Sequence, residues 1–283
     1  MKEKIVLYAP PFSHIKTYKD MVDVAVEYGI SYIEPLNILD LSKPDLKKAE
    51  EINEYIKKNG LSVPCFSAGI NLVGDDSEIQ TENLKRYADI AKLFGSPYLH
   101  HTVAFNFSDP DSVLSQKEVL FQKGIKAARE VNDYCNSIGI KAIYEEQGFI
   151  FNGLDGYERF ITELDRDYGV VADFGNILFC DDTFEDFLTK FSGHVVHVHL
   201  KDYSILKNGT FDEKKVLFKT KNHNGLLDAP LGKGSIDYDK AFSILKKIGY
   251  DGYYSIECPP IGPDEEKTFK ENIEVLRGHI GNM

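Results

Sequence analysis

A chain of 283 residues, 42% hydrophobic and 28% charged, has the make-up of a folded globular protein long enough for one large barrel or two ordinary domains. Its 45 acidic residues outnumber the 33 basic ones, and the net charge of −12 argues against nucleic acid, because basic neutralisation of phosphates supplies most of that affinity. No stretch approaches the ~18 apolar residues of a membrane span, and MKEKIVLYAPPF is too short and too broken by proline to be a signal peptide. Cys65, Cys135, Cys180 and Cys258 are scattered with no C-x-x-C pair, so reduced thiols, a cytoplasmic setting and no membrane partner are expected.

The first expected strand is KIVLYA (4–9), followed by a helix from Thr17 to Tyr28 that stops at Gly29. SYIEP comes next with Glu34 at its end, then a helix with Pro44 at a first-turn position and Gly60 at its close. LSVPCFS is the third strand. Apolar residues at Leu84, Tyr87, Ala88 and Ala91 predict a helix over 78–94, stopped by Gly95 and followed by the strand PYLHHTV. Ser115 and Glu118 have capping-box spacing for a long helix ending near Ser137. After Gly139 come the strand IKAIYE, a helix over 155–168 ending at Gly169, and the strand VVADF. Thr183 can cap the next helix, HVVHVHL is the seventh strand, and a helix over 238–248 leads to the eighth, GYYSIE. A helix over 265–277 ends the pattern. Eight strand–helix units over 1–283 predict an α/β fold: a single (β/α)8 TIM barrel in one domain. One connection is abnormal: the chain from Tyr203 to Pro230 is expected to be a long loop that covers substrate, with a short hairpin.

In such a barrel the active site lies at the C-terminal strand ends. Glu34, His100, His101, Glu145, Asp173, His199 and Glu257 all fall there. One imidazole with carboxylates on successive parallel strands suits a divalent ion, and an oxygen-rich set favours Mn²⁺, Mg²⁺ or Co²⁺ over Zn²⁺. Such an ion leaves two positions for adjacent sugar oxygens, polarises a carbonyl and acidifies the neighbouring C–H. Carboxylates on either side could take and return the proton through an enediolate. His197 alternates inward with His199 and reads as a satisfied barrel-core residue. Glu146 competes with Glu145, which alternation leaves open. Only one of His100 and His101 can face inward, and we take His101 as a substrate contact, with Glu34. Lys201 and Asp202, directly after His199, are further substrate candidates. The Gly-x-Gly of LGKGSID fits a phosphate cradle or a tight loop equally well.

GIKAIYEE, YGVVADFGN, HVVHVHLKD, PLGKGSID and GYDGYYSIE, in that order, resemble the xylose isomerase-like TIM-barrel superfamily of sugar phosphate isomerases and epimerases, also labelled AP endonuclease family 2. The resemblance covers nearly the whole chain. It implies one metal ion held by Glu145, Asp173, His199 and Glu257, with Glu145 and Glu257 doubling as the catalytic acid/base pair. It also implies a small carbohydrate substrate and a homo-dimer or homo-tetramer. Many members carry His three residues after the strand-six Asp to meet substrate; here Asn176 stands there, as in some phosphosugar epimerases. The Arg that free-ketose epimerases tend to carry after the strand-seven His is absent from YSILK, leaving Lys201 or Lys207. The activity implied is metal-dependent isomerisation or epimerisation of a ketose or sugar phosphate. A lyase such as an inosose dehydratase is the neighbouring alternative. An apurinic-site endonuclease fits poorly with eight histidines and a charge of −12.

Overall fold

The computed structural model describes residues 3–105, 110–212, 214 and 216–281. Its strands are β1 (Ile5–Leu7), β2 (Tyr32–Ile33), β3 (Phe66–Ala68), β4 (Tyr98–His101), β5 (Lys141–Glu145), β6 (Gly169–Asp173), β7 (Val195–Leu200), β8 (Asp202–Leu206), β9 (Phe218–Lys219), β10 (Gly225–Ala229) and β11 (Tyr254–Ile256). Eight of them form one sheet in the order β2-β1-β11-β7-β6-β5-β4-β3, and every pairing within it is parallel. Parallel bridges from Tyr32 to Ser62 and from Leu36 to Ser67 join its two ends. The ring is therefore closed, with helices on the outside, as the alternating pattern predicts.

Period-two alternation separates two apolar regions. Outward residues such as Leu99, Tyr144, Val170 and Val198 join the large core under the helices, while Cys65, Ile143 and Val171 form a small plug inside the ring with Tyr98 and Val196. A bulge matters for the site. Val170 pairs with Val195 but Val171 pairs with His197, so Val196 is an extra residue on β7. Beyond it, His199 stands level with Asp173 on one side and Ser255 on the other.

Most helix ends follow the sequence. Thr17 and Asp20 make a reciprocal capping box at α1 (Tyr18–Glu27). Gly95 closes α3 (Ser77–Phe94) at φ 75°, the left-handed conformation glycine adopts freely. Thr183 accepts from Asp186 N at the start of α7 (Phe184–Phe191). Three boundaries differ. Pro44 precedes α2 (Leu46–Lys58), and Asp45 is its cap. Ser115 closes the short α4 (Pro110–Ser115), so α5 (Lys117–Ser137) starts from Gln116 without a side-chain cap. Its partner in the expected box, Glu118, forms a fork with Arg159 instead. The helix expected over 155–168 is α6 (Leu154–Leu164); it ends at a left-handed Asp165, and Gly169 already belongs to β6.

The 203–230 segment is more than a loop with a hairpin. β8, β10 and β9 form a three-stranded antiparallel sheet. It is tied to the chain after β6, where Asp181 accepts from Thr220 Oγ1, Asn222 N and Asn224 Nδ2. Phe218 also packs on Phe179 at 5.4 Å. Among the described residues no helix is long and apolar enough to cross a membrane. The four cysteines are free thiols, three of them buried.

Candidate metal and carbohydrate site

The lower level of the site is a sealed carboxylate. Glu34, just past β2, is fully buried. Its Oε1 accepts from Ser67 Oγ and, at 3.1 Å, from His199 Nε2. Its Oε2 accepts from Ser255 Oγ and, at 2.7 Å, from His197 Nε2. Burial works to raise its pKa, but the two imidazoles outweigh burial and hold the carboxyl well below the usual range. Both oxygens are thus occupied by protein, and Glu34 does not face substrate as expected from sequence. It positions the histidines. His197 is a buried member of this network, its pKa lowered by burial.

One level up, four side chains converge. One ligand atom from each of Glu145, Asp173, His199 and Glu257 lies within 4.8 Å of the others. With Nε2 turned to Glu34, His199 presents Nδ1, 3.0 Å from Glu257 Oε2 and 3.4 Å from Glu145 Oε2. Asp173 is oriented by the turn it opens: Oδ1 accepts from Gly175 N at 2.8 Å and Asn176 N at 2.9 Å, which leaves Oδ2 for the site. Glu257 follows β11 and is tied to β7 by its N–H on Leu200 O, at 2.9 Å. Its side chain is 19% exposed, against 3% for Glu145 and 0% for Asp173.

Glu145 Oε2, Asp173 Oδ2, His199 Nδ1 and Glu257 Oε2 share one further property: all are buried and none makes a hydrogen bond. Asp173 Oδ2 lies 3.0 Å from Lys201 Nζ, a charge contact without hydrogen-bond geometry. Buried polar atoms are normally satisfied, so four unpartnered donors on residues that converge fit a cation. Three carboxylates and one imidazole are a donor set for such an ion. The electrostatics of this arrangement are strained. Burial, with Glu257 and Glu145 nearby, pushes Asp173 up to about 7 against the pull of Lys201. Burial works to lower the His199 pKa, but Glu34 and the other carboxylates raise it well above the usual imidazole range. Glu145 and Glu257 stay low despite burial, chiefly through His100 and Lys201 respectively.

Glu146, the neighbour that alternation left in competition, accepts from Asp173 N at 3.1 Å and lies outside the converging set. Burial raises its pKa well above the usual range. Of the two adjacent histidines, His100 faces inward and His101 does not. His100 Nδ1 meets Ser67 Oγ at 2.9 Å, and its unpartnered Nε2 lies 3.6 Å from Glu145 Oε1. His101 turns to the helix layer, edge-on to Tyr144 at 4.8 Å, with Nδ1 on Thr102 O. The pairing of Ser67 with His100 fixes this parity.

Lys201 and Asn176 lie beside the converging side chains. Lys201 Nζ donates to Glu257 Oε1 at 2.7 Å and to Asn176 Oδ1 at 3.2 Å. The amide Nδ2 of Asn176 is left without a partner. Asp202 does not face substrate. Its carboxylate accepts from Tyr203 N and Gly234 N, both at 2.9 Å, and from Ile236 N at 3.3 Å. The N–H groups of Lys233 and Ser235 go to Pro230 O and Tyr203 O. The Gly-x-Gly turn is therefore a tight loop closed on Asp202, the second of the two readings its sequence allows. Tyr8, just past β1, was missed: it is buried with its ring 4.7 Å from that of His199. A tyrosine is not a usual metal ligand, so its place at a strand end does not mark it. Ser255, two residues before Glu257, could have been found by the same parity that links His197 to His199.

The family described as Xylose isomerase-like TIM barrel matches residues 22–279. The chain belongs to that family. Over 136 residues it is 26% identical to an inosose dehydratase of Geobacillus thermodenitrificans, a match spanning 47% of this chain and 45% of that one. Thus the chain covers less than half of that relative's length. It is 23% identical over 274 residues to a Haemophilus influenzae protein assigned provisionally as an L-ribulose-5-phosphate 3-epimerase, covering 90% and 88% of the two chains. A xylose isomerase-like TIM barrel protein from Mycobacterium smegmatis, solved in complex with magnesium, superposes with a TM-score of 0.71 at 19% identity over 99% of this chain and 96% of that one.

Proposed function

We propose that this chain is a divalent-metal-dependent isomerase or epimerase acting on a ketose or sugar phosphate, with Glu145, Asp173, His199 and Glu257 as ligands. The observation that carries the reading is the convergence of one ligand atom from each of these four residues within 4.8 Å, together with an unpartnered buried donor atom on each. When bound, the ion would supply Lewis acidity to a substrate carbonyl. The protein does the rest. Glu145 ends β5 and Glu257 follows β11, so carboxylates from two different strand ends are placed to take and return a proton at the carbon beside the carbonyl. The Glu145 side chain is 3% exposed and that of Glu257 19%, so Glu257 is the more solvent-accessible of the two. Asn176 Nδ2 and His100 Nε2 are free to bind substrate oxygens. The likeness to a provisionally assigned L-ribulose-5-phosphate 3-epimerase over nearly the full length supports the proton-transfer class.

The test is exchange. A panel of ketoses and ketose phosphates incubated in D₂O with Mn²⁺ should gain deuterium next to the carbonyl, and the metal-stripped protein should not exchange. A panel without metal-dependent exchange would sink the reading. The partial likeness to an inosose dehydratase favours a second outcome from the same proton abstraction, loss of water. Mass separates the two in ordinary water: an isomer keeps that of its substrate, and a dehydrated product is lighter by one water.

A further inference from the structure

Lys201 follows β7 directly, and its side chain is 9% exposed. Its stem lies in a groove that exists because residue 175 is glycine. A Cβ there would come within 2.5 Å of Lys201 Cγ, 2.9 Å of Lys201 Cδ and 2.8 Å of Tyr203 Cε2. The DFGN and HLKD segments therefore interlock, and the groove delivers Nζ to a fixed place. A strongly hydrated ammonium is costly to bury unless paired. Here it meets Glu257 Oε1 at 2.7 Å, Asp173 Oδ2 at 3.0 Å and Asn176 Oδ1 at 3.2 Å.

Both carboxylates belong to the converging quartet. Glu257 divides its oxygens, Oε1 toward Lys201 and Oε2 toward His199 Nδ1. Asp173 cannot divide, because Oδ1 is taken by two backbone N–H groups. Only Oδ2 remains, and the ammonium already stands 3.0 Å from it.

Resting on the metal reading above, we infer that Lys201 is a built-in counter-cation that sets how tightly the quartet holds its ion. With an ion bound, Glu145, Asp173 and Glu257 would carry three negative charges, which the divalent ion and one ammonium cancel together. With the ion absent, Lys201 restrains Asp173 and Glu257. With it present, the ammonium repels it and weakens its hold. A merely structural ion pair works in the opposite sense: without it the carboxylates leave their ligand positions, and metal affinity falls.

The experiment compares metal-stripped full-length wild type with Lys201→Met, which fills the same groove without charge. Mn²⁺ is titrated into each, and free Mn²⁺ is read by electron paramagnetic resonance. The variant should bind Mn²⁺ about tenfold or more tightly than wild type, as repulsion between close charges implies. Its metal-free melting temperature should fall, and Mn²⁺ should raise it by more than in wild type. Equal or weaker Mn²⁺ binding by Lys201→Met overturns the inference and leaves the metal reading standing. Wild type that binds no Mn²⁺ overturns both. If Lys201→Met does not fold, ¹⁵N-lysine wild type decides: Mg²⁺ should shift one buried ammonium resonance, and an unmoved signal counts against the role.

Discussion

Two acidic centres lie one above the other inside this barrel, built from the same residue types. In the lower, Glu34 has both oxygens occupied by His197, His199, Ser67 and Ser255 and is sealed from solvent. In the upper, Glu145, Asp173, His199 and Glu257 each leave one donor atom without a hydrogen bond. Burial alone does not separate them, since His199 and Asp173 are as buried as Glu34 and only Glu257 is partly exposed. What separates them is satisfaction. A satisfied buried charge stiffens the fold, whereas convergent donors without partners are available for chemistry. His199 joins the two, with Nε2 in the lower centre and Nδ1 in the upper.

The largest expected effect comes from breaking the upper centre. Glu257→Gln keeps the shape but removes the carboxylate. Deuterium exchange into substrate should fall by about 10²–10⁴-fold, the usual contribution of a positioned acid or base, and bound Mn²⁺ should fall with it. Unchanged metal content would remove Glu257 from the ligand set. The lower centre should respond in stability. Glu34→Ala leaves two buried histidines and two serines without their acceptor, and urea denaturation should show a loss of roughly 3–5 kcal/mol, as when a buried pair loses one partner. The milder Glu34→Gln should fold and bind Mn²⁺ about 10–100-fold more weakly, because the carboxylate orients the His199 ring.

Outside both centres, His101 gives a pH test. Burial lowers its pKa to about 4 from 6.5. The folded form therefore binds this proton less readily than the unfolded chain. Stability should be full above pH ~6.5 and fall by up to about 3 kcal/mol as pH drops toward 4. His101→Phe should flatten that slope in urea titrations across this window. A smaller effect is expected at the Asp202 turn, where a Cβ on residue 234 would meet Asp202 Oδ1 at 2.2 Å and Tyr203 O at 2.7 Å. Gly234→Ala should cost about 1–3 kcal/mol, the usual range for overpacking, seen as a lower melting temperature. If the turn were instead a phosphate cradle, the same change would weaken phosphate binding without loss of stability.

The barrel was legible because its signals are local and repeated. Short apolar runs alternate with helical stretches, several of them closed by Gly29, Gly60, Gly95 and Gly139, and each run needs only its own residues to be recognised. His199, Asp173 and Glu257 were legible for the same reason, as polar groups at the ends of apolar strands. Misreadings cluster where a side chain had two structural fates. His101 and Glu34 sit at strand ends as the ligands do, but the β3–β4 register turns His101 outward, and Ser67, Ser255 and two histidines enclose Glu34. Asp202 follows Lys201 in the chain, yet one faces the quartet and the other closes the turn at Gly234.

By itself the sequence determined the strand–helix alternation, the closed parallel barrel and which end of it carries acids and histidines, because periodicity and strand termini are properties of consecutive residues. The tertiary structure decided which acid is satisfied and which is left open, which of two adjacent histidines looks inward, and that Gly175 makes room for Lys201. Those outcomes depend on partners far apart in the chain, whose positions are fixed only when strand register and the β6–β7 bulge bring them to one level.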